Sequence, residues 1–457
     1  MSWNRTQKSA LAIVTTTSFL GTFLISSVNI ALPAIEEVFE MNALTLSWII
    51  TGFLLSSAIL LLPLGRWADL TGIKRIYKTG ATIFAISTVL CAFATSGEML
   101  ILLRVLKGVG GAMVMTTGAA ILVSVFPASE RGKALGITVA AVYMGLAMGP
   151  FAGGFLTQQL GWRSIFLISG ILGLISVTIT WLYLGKDAPV KEPRKINLKG
   201  SFIYAMSLST LVIGSSAIPT IKGWMLLGVG LVLMALFIMI EKKVEFPVIN
   251  IEMFTRNRLF AFSNLAALIN YSATFAIVFL LSLYLQKIKE LSPQEAGSIL
   301  LAQPLVMAIL SPLSGRLSDK IEPRYLATSG MGLCTLGLAL FAFVGEQTSA
   351  GLIIFYLIIM GTGFALFSSP NLNTIMSSVE KHQYAIASGV SATMRVVGQM
   401  VSMTLVTLFF AIYIGQARIS EVPSEQFING MSAAFMAFAI ICFIGMWFSF
   451  YRGKMRN

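Results

Sequence analysis

The sequence predicts an all-α polytopic membrane protein, two six-helix bundles plus two extra helices, and three observations carry that reading. First, 56% of the 457 residues are hydrophobic and 11% charged, against roughly 25% charged in an ordinary soluble domain, and the mean hydropathy is +0.84. Second, the apolar residues gather into about fourteen runs, each close to the ~20 residues that a helix needs to cross a bilayer. Third, the charged stretch Gly65-Arg66-Trp67-Ala68-Asp69-Leu70-Thr71-Gly72-Ile73-Lys74-Arg75 recurs, degraded, as Gly315-Arg316-Leu317-Ser318-Asp319-Lys320-Ile321-Glu322-Pro323-Arg324-Tyr325. Arg66 falls over Arg316 and Asp69 over Asp319 at one constant offset, the mark of a duplicated transmembrane unit.

The expected spans are 10–31, 46–64, 76–94, 99–126, 132–158, 163–185, 200–219, 222–241, 259–286, 294–315, 325–344, 349–373, 383–414 and 429–451. The first is longer than the ~7–15 residue apolar region of a cleaved signal and lacks a small-residue cleavage site, so it reads as a span. Lys and Arg are retained on the cytoplasmic side of a membrane. With the N-terminus inside, only Arg163, Lys222, Lys287, Lys289 and Arg418 are left outside, and Arg104, Lys107 and Arg395 fall within spans. Both termini are therefore expected in the cytoplasm, in a multi-pass protein of the cell membrane. Basic hinges after the sixth and eighth spans divide the chain into a first bundle (1–185), a hinge segment with two additional helices (186–258) and a second bundle (259–457). The two intervening spans hold almost no polar residue and read as packing helices.

The residues also exclude function classes. A net charge of +13 would suggest nucleic acid only if Lys and Arg clustered on a folded soluble face; here they sit in short hinges. Cys91, Cys334 and Cys442 lie alone in separate runs, so neither a disulfide framework nor a metal site is expected. The single histidine, His382, lies in a hinge beside Lys381. No cluster of acid, base or nucleophile suggests an enzyme, and no Gly-x-x-x-x-Gly-Lys-Ser/Thr loop suggests a nucleotide cofactor.

Several residues point to a gated passage. Gly65 and Gly72 allow turning or close backbone approach, and a carboxylate such as Asp69 can sit on the positive N-terminal end of a neighbouring helix. Arg75, Glu130, Arg131 and the repeated Asp319 belong to the same candidate latch. Gly145, Gly149 and Gly153 recur every four residues and line one helix face, while Pro150 removes a backbone donor and can kink the span; together they are expected to form a dry, bendable seam between halves. A charge inside a bilayer costs roughly 2.5–3.5 kcal/mol on insertion scales, which makes Arg104, Lys107 and Arg395 candidates for the cavity. Ser26, Tyr143, Asn270, Tyr271, Gln303, Asn373 and Gln399 are the polar candidates beside them, with Ser27, Asn264 and Asn371. The 23 methionines would suit a compliant apolar wall.

Taken together these stretches resemble the major facilitator superfamily of transporters, most of all its fourteen-helix drug:proton antiporter branch. Gly65 to Arg75 is similar to the loop between helices two and three of that superfamily. Arg104-Val105-Leu106-Lys107-Gly108 resembles its Arg-x-x-Gln-Gly element, with Lys107 at the Gln position, and Gly145 to Gly154 resembles its antiporter motif. Asn29-Ile30-Ala31-Leu32-Pro33 and the segment around Arg395 resemble helices one and thirteen of the branch. The resemblance implies a secondary active exporter of small amphipathic compounds, usually a monomer, that works by alternating access with protons as the coupling ion. It also implies that Asp69 meets a helix beginning near Gln383 to close the cytoplasmic mouth. The chain departs from the pattern at Leu24, where many members carry a carboxylate, and all 19 acidic residues fall in hinges or at span ends. Glu36, Glu37 and Glu98 are the nearest remaining proton sites. The arginines fit a neutral, amphipathic or anionic substrate at least as well as a cationic one, so an exporter of an anionic metabolite or lipid-like molecule is the alternative, ahead of a membrane sensor or enzyme.

Overall fold

The structure, a computed structural model, describes residues 3–127, 130–185, 187, 197–244, 247–249, 251–318, 320–380 and 384–454, with the backbone alone at 69, 131, 132, 384 and 385. The expectations placed on the side chains of Asp69 and Arg131, and on Asp319, Lys381, His382 and Gln383, lie outside the described residues.

Among the described residues the chain is helical throughout, with no strand. The first six spans are α1 (Arg5–Phe39), α2 (Ala43–Thr71), α3 (Ile73–Ala92), α4 (Gly97–Val125), α5 (Arg131–Leu160) and α6 (Arg163–Tyr183). Two more follow, α7 (Leu198–Ser216) and α8 (Ile221–Glu241), then a short α9 (Ile251–Arg256). The last six spans are α10 (Arg258–Thr274) continued by α11 (Ile277–Lys287), α12 (Pro293–Leu300) continued by α13 (Ala302–Ser318), α14 (Pro323–Phe341), α15 (Ala350–Ser377), α16 (Tyr384–Tyr413) and α17 (Ser424–Tyr451). Fourteen passes place both ends of the chain on one face, the terminal face; the α1–α2 turn lies on the opposite, far face. Asn4, Asn42, Ser96, Asn257, Ser292 and Ser349 cap helix starts with their side-chain oxygens, satisfying backbone N–H groups that have no partner within the helix.

Two expected spans are each broken into two helices. Between α10 and α11 the Ala276 N–H donates to Ser402 Oγ at 3.1 Å on α16. Between α12 and α13, Pro304 has no N–H for the carbonyl one turn earlier. The charged stretch read as a loop is largely helix, because α2 runs on to Thr71 and the chain turns only at Gly72, with φ +106°. Asp187, just beyond α6, accepts from the backbone N–H of Lys74 at 2.9 Å and of Arg75 at 3.0 Å. It thereby caps α3, and a Cβ on Gly72 would run into its carboxylate. Gly65 lies inside α2, where a Cβ would meet nothing closer than Thr116 at 3.8 Å, so close backbone approach is not its role.

Packing repeats the duplication. A Cβ on Gly110 of α4 would lie 2.6 Å from Phe84 N and 2.7 Å from Gly80 O of α3; a Cβ on Gly330 of α14 would lie 2.6 Å from Gly363 O and Phe367 N of α15. Gly80 and Gly330 stand equally far beyond Gly65 and Gly315, so the two copies use the same glycine to bring two backbones together. Overpacking such a contact costs typically ~1–3 kcal/mol. Gly330→Leu is therefore expected to lower the thermal unfolding midpoint of the purified protein by several degrees, whereas Gly228→Leu, at an exposed position with open space around it, leaves it unchanged.

Candidate functional site

The halves meet where α2 packs on α16, α5 on α12 and α13, and α1 on α11, while α7 rests against both α2 and α16. Midway along this interface a polar and aromatic cluster draws on both halves. Tyr143 of α5 and Ser368 of α15 place their hydroxyl oxygens 3.2 Å apart. Tyr271 of α10 shares Ser368 as a hydrogen-bond partner, lies within electrostatic reach of Tyr143 and of Arg395 on α16, and packs edge-on against Phe364 of α15 at 5.5 Å. Tyr143, Tyr271, Arg395 and, one turn farther along α16, Gln399 are all half-buried. Arg395 makes no hydrogen bond or ion pair among the described residues.

From this cluster to the far face the halves are joined by hydrogen bonds. Ser47 Oγ meets Thr407 Oγ1 at 2.9 Å, Ser282 donates to Asn29 O at 2.8 Å and Gln286 to Ile30 O at 3.0 Å. At the far face itself Asn42 donates to Gln416 at 2.9 Å, the Ala43 N–H to Ala417 O at 3.0 Å, and Arg418 to Glu40 at 2.6 Å. Backbones also touch there: a Cβ on Gly154 of α5 would enter the Pro293 carbonyl, and one on Gly297 of α12 would enter that of Pro150. On the terminal side of Tyr143–Ser368, no hydrogen bond joins the halves among the described residues. The far mouth is shut, and the cluster lies beneath the seal.

Other expected residues sit elsewhere. Gly145, Gly149 and Gly153 do not form the seam between halves; they face Thr22, Ser26 and Ser27 of α1 within the first half, and the interhalf approach belongs to Gly154, Pro150 and Gly297. Ser26 is buried in that α1–α5 contact, donating to Leu146 O at 3.3 Å. Arg104 and Lys107 do not line the interface: both are 1% exposed inside the first bundle. Arg104 Nε donates to Ile49 O at 2.9 Å, with its guanidinium 5.0 Å from the Phe53 ring. The Lys107 ammonium faces the rings of Phe84 at 4.7 Å, Phe166 at 5.9 Å and Phe53 at 6.0 Å, so ring quadrupoles stand in for a counter-ion. Asn270 is 0% exposed beside Cys334, one helical step of about 100° away from Tyr271, which turns it into the second bundle. Gln303 is buried with its backbone against Gly361 of α15, and Asn373 donates to Ser318 at 3.1 Å near the terminal face. Arg75 has an exposed side chain and Glu130 caps α5 without a side-chain bond; neither reaches the second half among the described residues.

Sequence reasoning misses two carboxylates, Asp187 and Glu241, and does not separate a third, Glu36, from Glu37. Asp187 caps α3. Glu241, 2% exposed, accepts from Asn197 Nδ2 at 2.7 Å and from the N–H groups of Val248 and Ile249, and so orders the hinge whose Pro247 carbonyl receives Arg66 Nη2 at 2.7 Å. Glu36 was noticed, but as one of an equivalent pair; only it is buried, against the second half. Nothing in residue type or spacing distinguishes these three from solvated hinge acids.

Two duplicated helix bundles that enclose a polar site and close it on one face define a membrane transporter. The chain belongs to the Major Facilitator Superfamily, whose family model matches residues 11–403 and also 264–456. It is 30% identical over 443 residues to the riboflavin transporter RibZ of Clostridioides difficile, covering 95% of each chain. It is 29% identical to the multidrug resistance protein Stp of Mycobacterium tuberculosis, covering 88% of this chain and 75% of that one. Among solved structures, a bacterial homolog of the human lysosomal transporter Spinster in an inward-facing, unoccupied conformation superposes with a TM-score of 0.71 at 18% identity, covering 99% of this chain and 98% of that one, a likeness of fold. Oxidation of a Ser47→Cys, Thr407→Cys double variant is expected to link the halves in the resting protein, read as altered mobility on a denaturing gel after cleavage in the 186–196 hinge; absence of the link would show that the far mouth rests open.

Proposed function

We propose that the protein is a secondary active exporter of small amphipathic compounds, acting as a monomer by alternating access, with the terminal face in the cytoplasm of the cell membrane. The observation that carries this is the one-sided seal: a site built from both halves, hydrogen-bonded shut toward the far face and, among the described residues, without such bonds toward the other. The bias of Lys and Arg toward the terminal face supports its cytoplasmic placement. The names of the relatives, a riboflavin transporter and a multidrug resistance protein, support small organic cargo.

In this reading the halves rock about the Tyr143–Ser368 level. Cargo enters from the cytoplasm, and breaking the far-face bonds releases it outside. Proton antiport is the coupling that the family resemblance favours, and the contact of Asp69 with the start of α16 is the lock that forms on the cytoplasmic side when the far face opens. Counterflow of a labelled dye in proteoliposomes, with and without a proton gradient, tests transport and its coupling together. Asp69→Asn is expected to abolish counterflow while membrane insertion stays normal, and full activity in that variant contradicts the lock.

A second reading narrows the cargo. Among the described residues Arg395 is the ionic side chain of the central cluster and no carboxylate accompanies it, so the site suits a neutral, acceptor-rich or anionic amphipath. A charge-assisted hydrogen bond is worth about 1.5–3 kcal/mol, which is tenfold or more in affinity. Arg395→Gln should therefore weaken export of an anionic dye about tenfold or more and that of a neutral dye less. An equal loss for both dyes would remove Arg395 from the site.

A further inference from the structure

We propose that Glu36 is the gating residue of the far mouth, the side chain through which the second half holds the first half shut. Glu36 lies on the overhang of α1, near the end of a 35-residue helix about 50 Å long at ~1.5 Å per residue, well over the ~30 Å hydrocarbon core. Its neighbours Glu37 and Glu40 are exposed, whereas Glu36 is 4% exposed. Its Oε1 accepts from the Ser420 N–H at 2.9 Å and the Ser420 hydroxyl at 3.1 Å.

Those donors belong to the second half and are held ready. Ser420 lies in the single helical turn Ile419–Glu421 between α16 and α17. Lys287, at the end of α11, donates to the Ile419 carbonyl and, at 2.5 Å, to the Val422 carbonyl. That pins the turn from behind and keeps an ammonium within electrostatic reach of Glu36. The carboxylate of one half thus docks into a cradle of the other, made of the Ser420 and Ile419 backbone, one hydroxyl and a nearby positive charge.

The ion pair beside it carries less. Arg418–Glu40 has partners 35% and 70% exposed, and solvated pairs of this kind contribute little. Glu36 is buried although its partner Ser420 is exposed, and the two charge-assisted bonds between them are made only while the halves touch, so cutting them removes stabilisation from the shut state and leaves the open state unpenalised. Their loss must therefore move the balance toward the open far mouth.

The test reads access to Ser47, buried beneath the seal against Thr407. In full-length protein carrying Ser47→Cys, with the buried Cys91, Cys334 and Cys442 replaced by Ala, the probe is a membrane-impermeant maleimide added to the far face. Labelling is expected to be slow with Glu36 present, about tenfold faster in Glu36→Ala, intermediate in Glu36→Gln, which keeps an acceptor oxygen but loses the charge, and unchanged in Glu37→Ala. Lys287→Met should act in the same direction as Glu36→Ala. Labelling of Glu36→Ala at the starting rate, or an equal acceleration by Glu37→Ala, would overturn the proposal. No substrate is added, so the result is independent of the export reading.

Discussion

Helices in a bilayer gain nothing from hiding apolar surface from lipid that is equally apolar, so they associate only where backbones come close or polar groups pair. This protein depends on that constraint at every level. Within each half, glycines remove the Cβ atoms that would separate the helices: Gly80 and Gly110 join α3 to α4, Gly330 and Gly363 join α14 to α15, and Gly145, Gly149 and Gly153 seat α5 on α1. These contacts extend along the helices and give each half a continuous packed interior.

Between the halves the contacts are unevenly placed. The backbone approach of Gly154 and Gly297 to Pro293 and Pro150 lies toward the far face, with the hydrogen bonds that join α1 and α2 to α11, α16 and the turn before α17. Polar pairs that can exchange their partners for water suit a contact that must break and re-form, and at the far face they accompany the glycine backbone approach.

The buried cations illustrate how one chemistry serves two purposes. Arg104 and Lys107 lie against Phe53, Phe84 and Phe166 inside the first bundle, where aromatic faces and the Ile49 carbonyl compensate their desolvation. Arg395 is half-buried beside Tyr271 at the interface, with no such enclosure. All three are basic residues within apolar runs and look alike on paper.

The sequence alone carries the membrane character, the fourteen passes and the duplication, since these follow from apolar run length and a repeated motif, both local properties, whereas the helix ends shifted by several residues, as where α2 runs on to Thr71. It also named Tyr143, Tyr271 and Arg395 among its candidates, but with Asn270, Gln303 and Lys107 on equal footing. Packing places them differently, because neighbouring residues on a helix point about 100° apart and the face that meets the other half is set by the assembled bundle. The same holds for Gly153, which contacts α1, and Gly154, which contacts α12, and for Glu36 and Glu37. Which member of each pair touches the opposite half depends on helix rotation, and rotation is a property of the assembled bundle.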